Sequence, residues 1–317
     1  MATYRRHGTE SFNMNIAILS KGSGNVSTKR LVAESKARGH NVQVIDYSRC
    51  YATIEKSNPV VSSDGHDLTD IDVIIPRIAS SYTRYGSAIV RQFEMQGVFT
   101  TTSSISLVRS RDKLRSLQLL ARAGVGIPKT VFARGMNTNV EDLIEDLGGM
   151  PVVIKLARGT HGNGVVLAET KKAAKSVLQA FYLMDDDGTN ILLQEFIEEA
   201  AGEDIRAFVV GGKVVASMKR QSLDDDFRSN LHQGGAGSIV KLTDEERKTA
   251  QKAARSMGLS ICGVDMMRSD HGPLVLEVNA SPGFAIEKVT GRDVAGKIFD
   301  YVEQNVKGKR RRDRVGA

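Results

Sequence analysis

Cysteine is scarce in this sequence: there are 2 in 317 residues, Cys50 and Cys262. That excludes a disulfide framework. Neither has His or Cys neighbours at metal or nucleophile spacing, so both read as packing residues in a reducing cytosol. No apolar run approaches a membrane span. Residues 1–13 are polar and lack the apolar stretch of an export signal. The expectation is a cytoplasmic chain with no membrane partner. Catalytic signatures are missing too. No Ser-His-Asp or Cys-His arrangement stands out. The turn Lys21-Gly22-Ser23-Gly24 is not GxGxxG, which argues against NAD. No Gly-Lys-Ser/Thr opens a helix, which argues against a Walker loop.

Excess positive charge is also confined. The chain carries +7, of which residues 305–317 hold +5 and residues 1–13 hold +1, leaving +1 for everything between. A nucleic-acid binder carries its charge on the folded face. Here it sits on a tail, which reads as a solvated end, with nucleic-acid contact by counterion release as the alternative.

What remains is an ordinary globular composition, 41% apolar and 26% charged, long enough for two or three small domains. Residues 1–13 look appended. Asn15–Leu19, Thr28–Arg38, Val42–Ile45 and Asp72–Ile75 read as strand, helix, strand, strand, hence a βαβ unit with parallel pairing. Arg77 closes the last of these strands, where open α/β sheets bind ligands, and its fork suits a carboxylate; a plain surface arginine is the alternative. Ser110-Arg111-Asp112-Lys113 opens a helix with Ser110 as its N-cap. Pro151–Lys155 is a strand followed by Arg158-Gly159-Thr160-His161-Gly162-Asn163-Gly164, then Val165–Ala168. Such a glycine-rich loop lets backbone N–H groups approach phosphates, though a hairpin tip without a ligand reads the same way. Thr243 and Glu246 form a capping box.

The most chemical stretch is residues 263–283. Val264–Met267 and Leu274–Val278 read as strands, with His271-Gly272-Pro273 as the connection. Glu277 and Asn279, two apart, share a face. Asp265 lies across from them. Two carboxylates and an amide oxygen suit a hard cation such as Mg²⁺, which then also needs phosphate oxygens. Polar residues at a solvent edge are the alternative.

In their order, Arg111-Asp112-Lys113, Gly159-Thr160-His161-Gly162, Gln194-Glu195-Phe196-Ile197, Asp226-Phe227-Arg228-Ser229-Asn230 and Asn279–Gly283 resemble the RimK branch of the ATP-grasp ligases, over about residues 14–304. The resemblance implies an ATP-grasp fold of α/β and α+β parts: an N-terminal parallel α/β domain at 14–108, a linker helix and flap domain at 109–196, and a C-terminal metal-binding domain at 197–304. Residues 305–317 remain as a basic disordered tail.

It also implies roles. Lys113, Lys155, Gly159, Gly162, Glu195, Phe196, Asp204, Arg228, Ser229 and Asn230 bind ATP. Glu195 and Phe196 lie beside adenine, and Asp204 at the ribose. Asp265, Glu277 and Asn279 hold Mg²⁺, with Mn²⁺ able to replace it and two ions in all. Arg220 and Asn279 sit near the transferring phosphoryl group, and Arg77 on the substrate side. The implied activity is ligation of glutamate to the C-terminus of the sixth small-subunit ribosomal protein through an acyl phosphate. The alternative is joining other amino acids or small peptides. A homo-oligomer is left open. The chain departs from the family pattern at Lys219, where an acidic residue is expected on the substrate side, and after Pro282-Gly283, where it runs one residue shorter.

Overall fold

The computed structural model describes residues 13–134, 139–156, 164–183, 190–200, 202–222 and 236–306. These divide into two units. One holds the residues up to Thr101 together with those from Phe299, and the other is Thr102–Ile298.

The first unit runs β1 (Asn15–Leu19), α1 (Val26–Ala37), β2 (Asn41–Ile45), β3 (Cys50–Thr53), β4 (Val60–Ser63), β5 (His66–Asp67), β6 (Val73–Pro76), α2 (Thr83–Met95) and β7 (Phe99–Thr100). Its main sheet has the order β2-β1-β6-β7, all parallel. Ile16–Leu19 and Val73–Ile75 are buried without alternation, as strands covered on both faces must be. Gly39 takes the left-handed φ of 80° that ends α1. A small antiparallel sheet, β3-β4-β5, is an addition that the sequence reading did not contain. Its strands are short, and β3 buries only Cys50.

Residues 299–306 also belong to this unit rather than ending a C-terminal domain at 304. The reason is an ion cluster. Arg38 bridges Asp300 at 2.9 Å and Glu303 at 3.1 Å, and His40 meets Glu303 at 3.1 Å.

The second unit begins with α3 (Ser104–Arg111) and α4 (Lys113–Arg122). This corrects the single helix expected from Ser110. Asp112 breaks the run and caps α4, accepting from the Arg115 N–H at 3.0 Å, while Ser110 Oγ donates to the Leu107 carbonyl at 2.9 Å. The division at Thr101 precedes the border expected at 108 because α3 is anchored in this unit, through Ser106 Oγ on the Gly258 carbonyl at 2.9 Å.

There follow β8 (Thr130–Arg134), α5 (Val140–Asp146), β9 (Val152–Leu156), β10 (Val165–Ala168), α6 (Lys171–Leu183) and β11 (Asn190–Glu195). They build an antiparallel sheet of order β10-β9-β11-β8. Its apolar face packs Val152, Ile154, Ile191 and Leu193 on Ile144, Ala174 and Leu178 of the helices. The period-2 and period-3.6 patterns meet there.

A second antiparallel sheet holds β12 (Glu203–Val210), β13 (Lys213–Gln221), β14 (Ala236–Ile239), β15 (Ile261–Ser269) and β16 (Gly272–Asn279) in the order β14-β13-β12-β15-β16. It is accompanied by α7 (Asp244–Met257), α8 (Ala285–Thr290) and the start of α9 (Val294–Val306). α7 buries Ala250, Ala253, Ala254 and Met257. Its capping box forms as expected: Thr243 Oγ1 accepts from the Glu246 N–H at 3.1 Å, and Glu246 Oε2 accepts from the Thr243 N–H at 2.7 Å. Replacing Thr243 by Ala should cost about 1 kcal/mol of stability, read as a lower urea midpoint at unchanged m-value.

Candidate active site

Strand register places the chemistry on one face of the second sheet. Residues paired across antiparallel strands point the same way, and residues two apart on one strand do too. Asp204 pairs with Arg220, Arg206 with Asp265, Asp265 with Glu277, and Gly263 with Asn279. Asp204 and Arg206 are alternate residues of β12. All of these therefore share a face. The β15–β16 pairing slips just after Asp265, where Leu276 is the extra residue of a bulge.

The same register turns Lys219 the other way. It pairs with Ile205, between Asp204 and Arg206, and its ammonium meets Glu203 at 2.6 Å. Its expected place on the substrate side is thus corrected by strand alternation: Lys219 lies on the face opposite Arg220.

The shared face holds a buried chain of charges. Arg220 Nε and Nη2 donate to the two oxygens of Asp204 at 2.6 and 2.5 Å. The same Nη2 lies 2.9 Å from Asp265 Oδ2. Arg206 Nε and Nη2 bond Asp265 Oδ1 and Oδ2 at 2.7 and 2.6 Å. Asp265 is 1% exposed. Burial opposes its charge, but Arg206 and Arg220 prevail and hold its pKa far below the usual carboxylate range. Arg206 was not anticipated as a site residue. The signal was there, since Asp204 and Arg206 place two opposite charges at strand spacing just ahead of the apolar run Ala207–Val210.

Glu277 and Asn279 carry the site outward. Asn279 Nδ2 donates to Glu277 Oε1 at 2.8 Å. Two residues on, Ser281 Oγ is buried and has no hydrogen-bond partner among the described residues. These ligands fit a divalent hard cation: two carboxylates paired across β15 and β16 and an amide oxygen two residues on. Among the described residues no group of three His, Cys, Asp or Glu could hold a metal alone. A cation here would draw its remaining ligands from phosphate or water.

Two lysines belong to the same neighbourhood. Lys155 on β9 donates to Gln194 Oε1, and Gln194 Nε2 donates to Thr130 Oγ1 at 2.8 Å. Gln194 is buried, so Lys155 is held by a fixed partner. Part of the Lys155 surface is open, yet the protein around it is dense. Burial, with help from the positive charge of Lys113, pushes its pKa down to about 8 against the pull of Glu277. Lys113 Nζ donates to the Leu156 carbonyl at 3.0 Å; burial lowers its pKa and Glu277 opposes this. The three groups are near enough to influence one another, though they come from α4, β9 and β16.

Glu195 is engaged with the chain beside it. Its Oε1 accepts from the Lys129 N–H at 2.6 Å, and its own N–H donates to the Lys129 carbonyl at 3.0 Å. Phe196 follows, half-buried. Asp204 is 5% exposed, with both oxygens on Arg220. Arg77 lies in the first unit at the end of β6, its Nη2 donating to Ser27 Oγ at 3.1 Å. Gly159, Gly162, Arg228, Ser229 and Asn230 lie outside the described residues. A groove of about 540 Å³ beside Ser217, Ile239 and Arg292 shares no residue with this site.

Comparison with known proteins agrees with the geometry. A RimK-like ATP-grasp domain matches residues 110–302, and a RimK pre-ATP-grasp domain matches residues 14–107. A protein of Nitrosococcus oceani named probable alpha-L-glutamate ligase is 55% identical over 302 residues, covering 95% of this chain and 99% of that one. One of the same name from Hydrogenovibrio crunogenus is 56% identical over 295 residues, covering 93% and 97%. Among solved structures, the ATP-grasp ligase PsnB complexed with minimal precursor, Mg and ADP superposes with a TM-score of 0.70 at 18% identity, covering 92% of this chain and 98% of that one. D-alanine–D-alanine ligase from Bacillus anthracis complexed with ATP gives 0.67 at 20%, covering 94% and 98%. At such identities these show the fold alone, and it is the expected ATP-grasp fold.

Two outcomes follow from the charges. Arg220→Met should destabilise the fold by about 3–5 kcal/mol, read by chemical denaturation, because it leaves Asp204 and Asp265 buried without their shared cation. Lys155 has a lowered pKa, so from about pH 8 up to the ordinary lysine value of roughly 10.4 the unfolded chain holds a proton that the folded chain has lost. Its contribution to stability therefore rises with pH through that window. A polyphosphate needs the charged form, so ATP affinity should fall as pH rises above about 8. Calorimetry should show proton uptake on binding there, and Lys155→Met should remove it.

Proposed function

The chain belongs to the RimK-like ATP-grasp family, and from that membership we propose that it is an ATP-dependent α-L-glutamate ligase. The observation that carries this is the convergence of Lys113, Lys155 and Glu277 with the Asp265 carboxylate. Two cations and two carboxylates at one place suit polyphosphate and a divalent cation together. The names of relatives near 55% identity over almost their whole length support glutamate as the amino acid.

On this reading Lys113 and Lys155 hold the phosphates of ATP. Glu195 and Phe196 border adenine, and Asp204 takes the ribose side. Asp265, Glu277 and Asn279 would hold Mg²⁺, which when bound neutralises phosphate charge. A carboxylate oxygen of the acceptor attacks the γ-phosphorus and ADP leaves, forming an acyl phosphate. The amine of glutamate then attacks the acyl carbon; inorganic phosphate departs and the amine proton goes to solvent. Arg220 and Asn279 stabilise charge on the transferring group. Positioning and electrostatics suffice for both steps, so no protein nucleophile is invoked. Gly159 and Gly162 of the flap, with Arg228, Ser229 and Asn230, complete the ATP side, and Arg77 the acceptor side.

The acceptor we assign is the C-terminal carboxylate of the sixth small-subunit ribosomal protein, in the cytoplasm. Free buried Cys50 and Cys262 are in keeping with that compartment. Among the described residues no helix is long and apolar enough to cross a membrane.

Mass spectrometry of that ribosomal protein after incubation with enzyme, ATP, Mg²⁺ and glutamate should show additions spaced by one glutamate residue. Glu277→Ala should abolish them while leaving the circular dichroism spectrum unchanged. ADP release with a different amino acid or acceptor, and no additions here, would reassign the substrate. Full activity of Glu277→Ala would remove the cation site.

A further inference from the structure

The two arginines on Asp265 are not equivalent. Arg220 has a carboxylate of its own, Asp204, bonded through both nitrogens of its fork. Arg206 has one ion-pair partner among the described residues, Asp265, which it bonds through Nε and Nη2. When a divalent cation takes Asp265, Arg220 stays neutralised and Arg206 does not. Arg206 is also the more accessible of the two, 15% exposed at its side chain against 3% for Arg220. A guanidinium stripped of its carboxylate in a half-buried place must find another anion or be expelled to water.

We infer that Arg206 is a positioning residue that competes with the divalent cation for Asp265. Displaced, it seeks an anionic oxygen of the bound nucleotide. Cation and nucleotide then bind cooperatively: the cation alone must break the Arg206–Asp265 pair without compensation, and the nucleotide supplies the compensation. The inference rests on Asp265 being a cation ligand, as proposed above. It adds that the protein alone binds the cation poorly by design of its own charges.

The test is Mn²⁺ binding to the full chain, by electron paramagnetic resonance, with and without ADP. For the unaltered protein, Mn²⁺ should bind weakly alone and at least tenfold more tightly with ADP. Arg206→Met should tighten Mn²⁺ binding alone about tenfold or more. It should leave binding with ADP unchanged or weaker, so the coupling between the two ligands shrinks. Loss of a merely structural prop would weaken both. If Arg206→Met fails to fold, Arg206→Lys serves, because a lysine makes one bond in place of the fork and should give a smaller change of the same sign. Mn²⁺ binding alone that is no tighter in the folded variant overturns the inference. Asp265→Asn separates the two layers: undiminished Mn²⁺ binding there refutes the cation site itself. Weakened binding there with no gain in the Arg206 variant refutes only the competition.

Discussion

A carboxylate that is 1% exposed cannot stay charged unless cations are brought to it, and Asp265 has two. That requirement dictates which strands are neighbours. Arg206 reaches Asp265 because β12 lies beside β15, and Arg220 reaches it because β13 lies beside β12. Arg220 in turn needs Asp204. The four groups alternate in sign, so each charge has a bonded opposite. Removing one leaves a buried charge uncompensated, which costs more than the pair contributes. The apolar strands around them supply the stability. The charges supply the register, because a one-residue slip would turn every one of them to the other face.

Outside this buried chain the site becomes wetter and more adaptable. Glu277 is exposed and bonds Asn279, so the hairpin end presents oxygens where solvent and ligands can enter. Lys113 and Lys155 come from a helix and from the other sheet of the same unit, and Glu277 is the group that both feel. Gln194 fixes the Lys155 ammonium and is itself tied to Thr130, so a flexible side chain is held by an inflexible one. The positive pole rests on α4 and one sheet and the negative pole on the other sheet, and a polyphosphate with a divalent cation suits both.

Much of this was legible in the residues. Period-2 alternation and the spacing of Asp265, Glu277 and Asn279 were enough to read the hairpin and its shared face. Thr243 and Glu246 announced the start of α7, and strand–helix–strand order announced the parallel sheet. Less legible were features that depend on a distant partner. Asp112 took the cap expected of Ser110 because the run broke into two helices there. The second half of the last helix joined the first unit because Arg38 and His40 drew Asp300 and Glu303 to it.

By itself the sequence determined local geometry and the order of the motifs, because both follow from neighbours along the chain. The faces of β15 and β16, the caps and the family pattern are of this kind. Only the tertiary structure decided which charge meets which. Arg206 is 59 residues from Asp265, and no pattern of spacing selects that pair over others. Burial does, since a carboxylate excluded from water on one strand must be met by the guanidinium groups of the strands beside it. Strand alternation, by contrast, sent Lys219 to Glu203 on the opposite face.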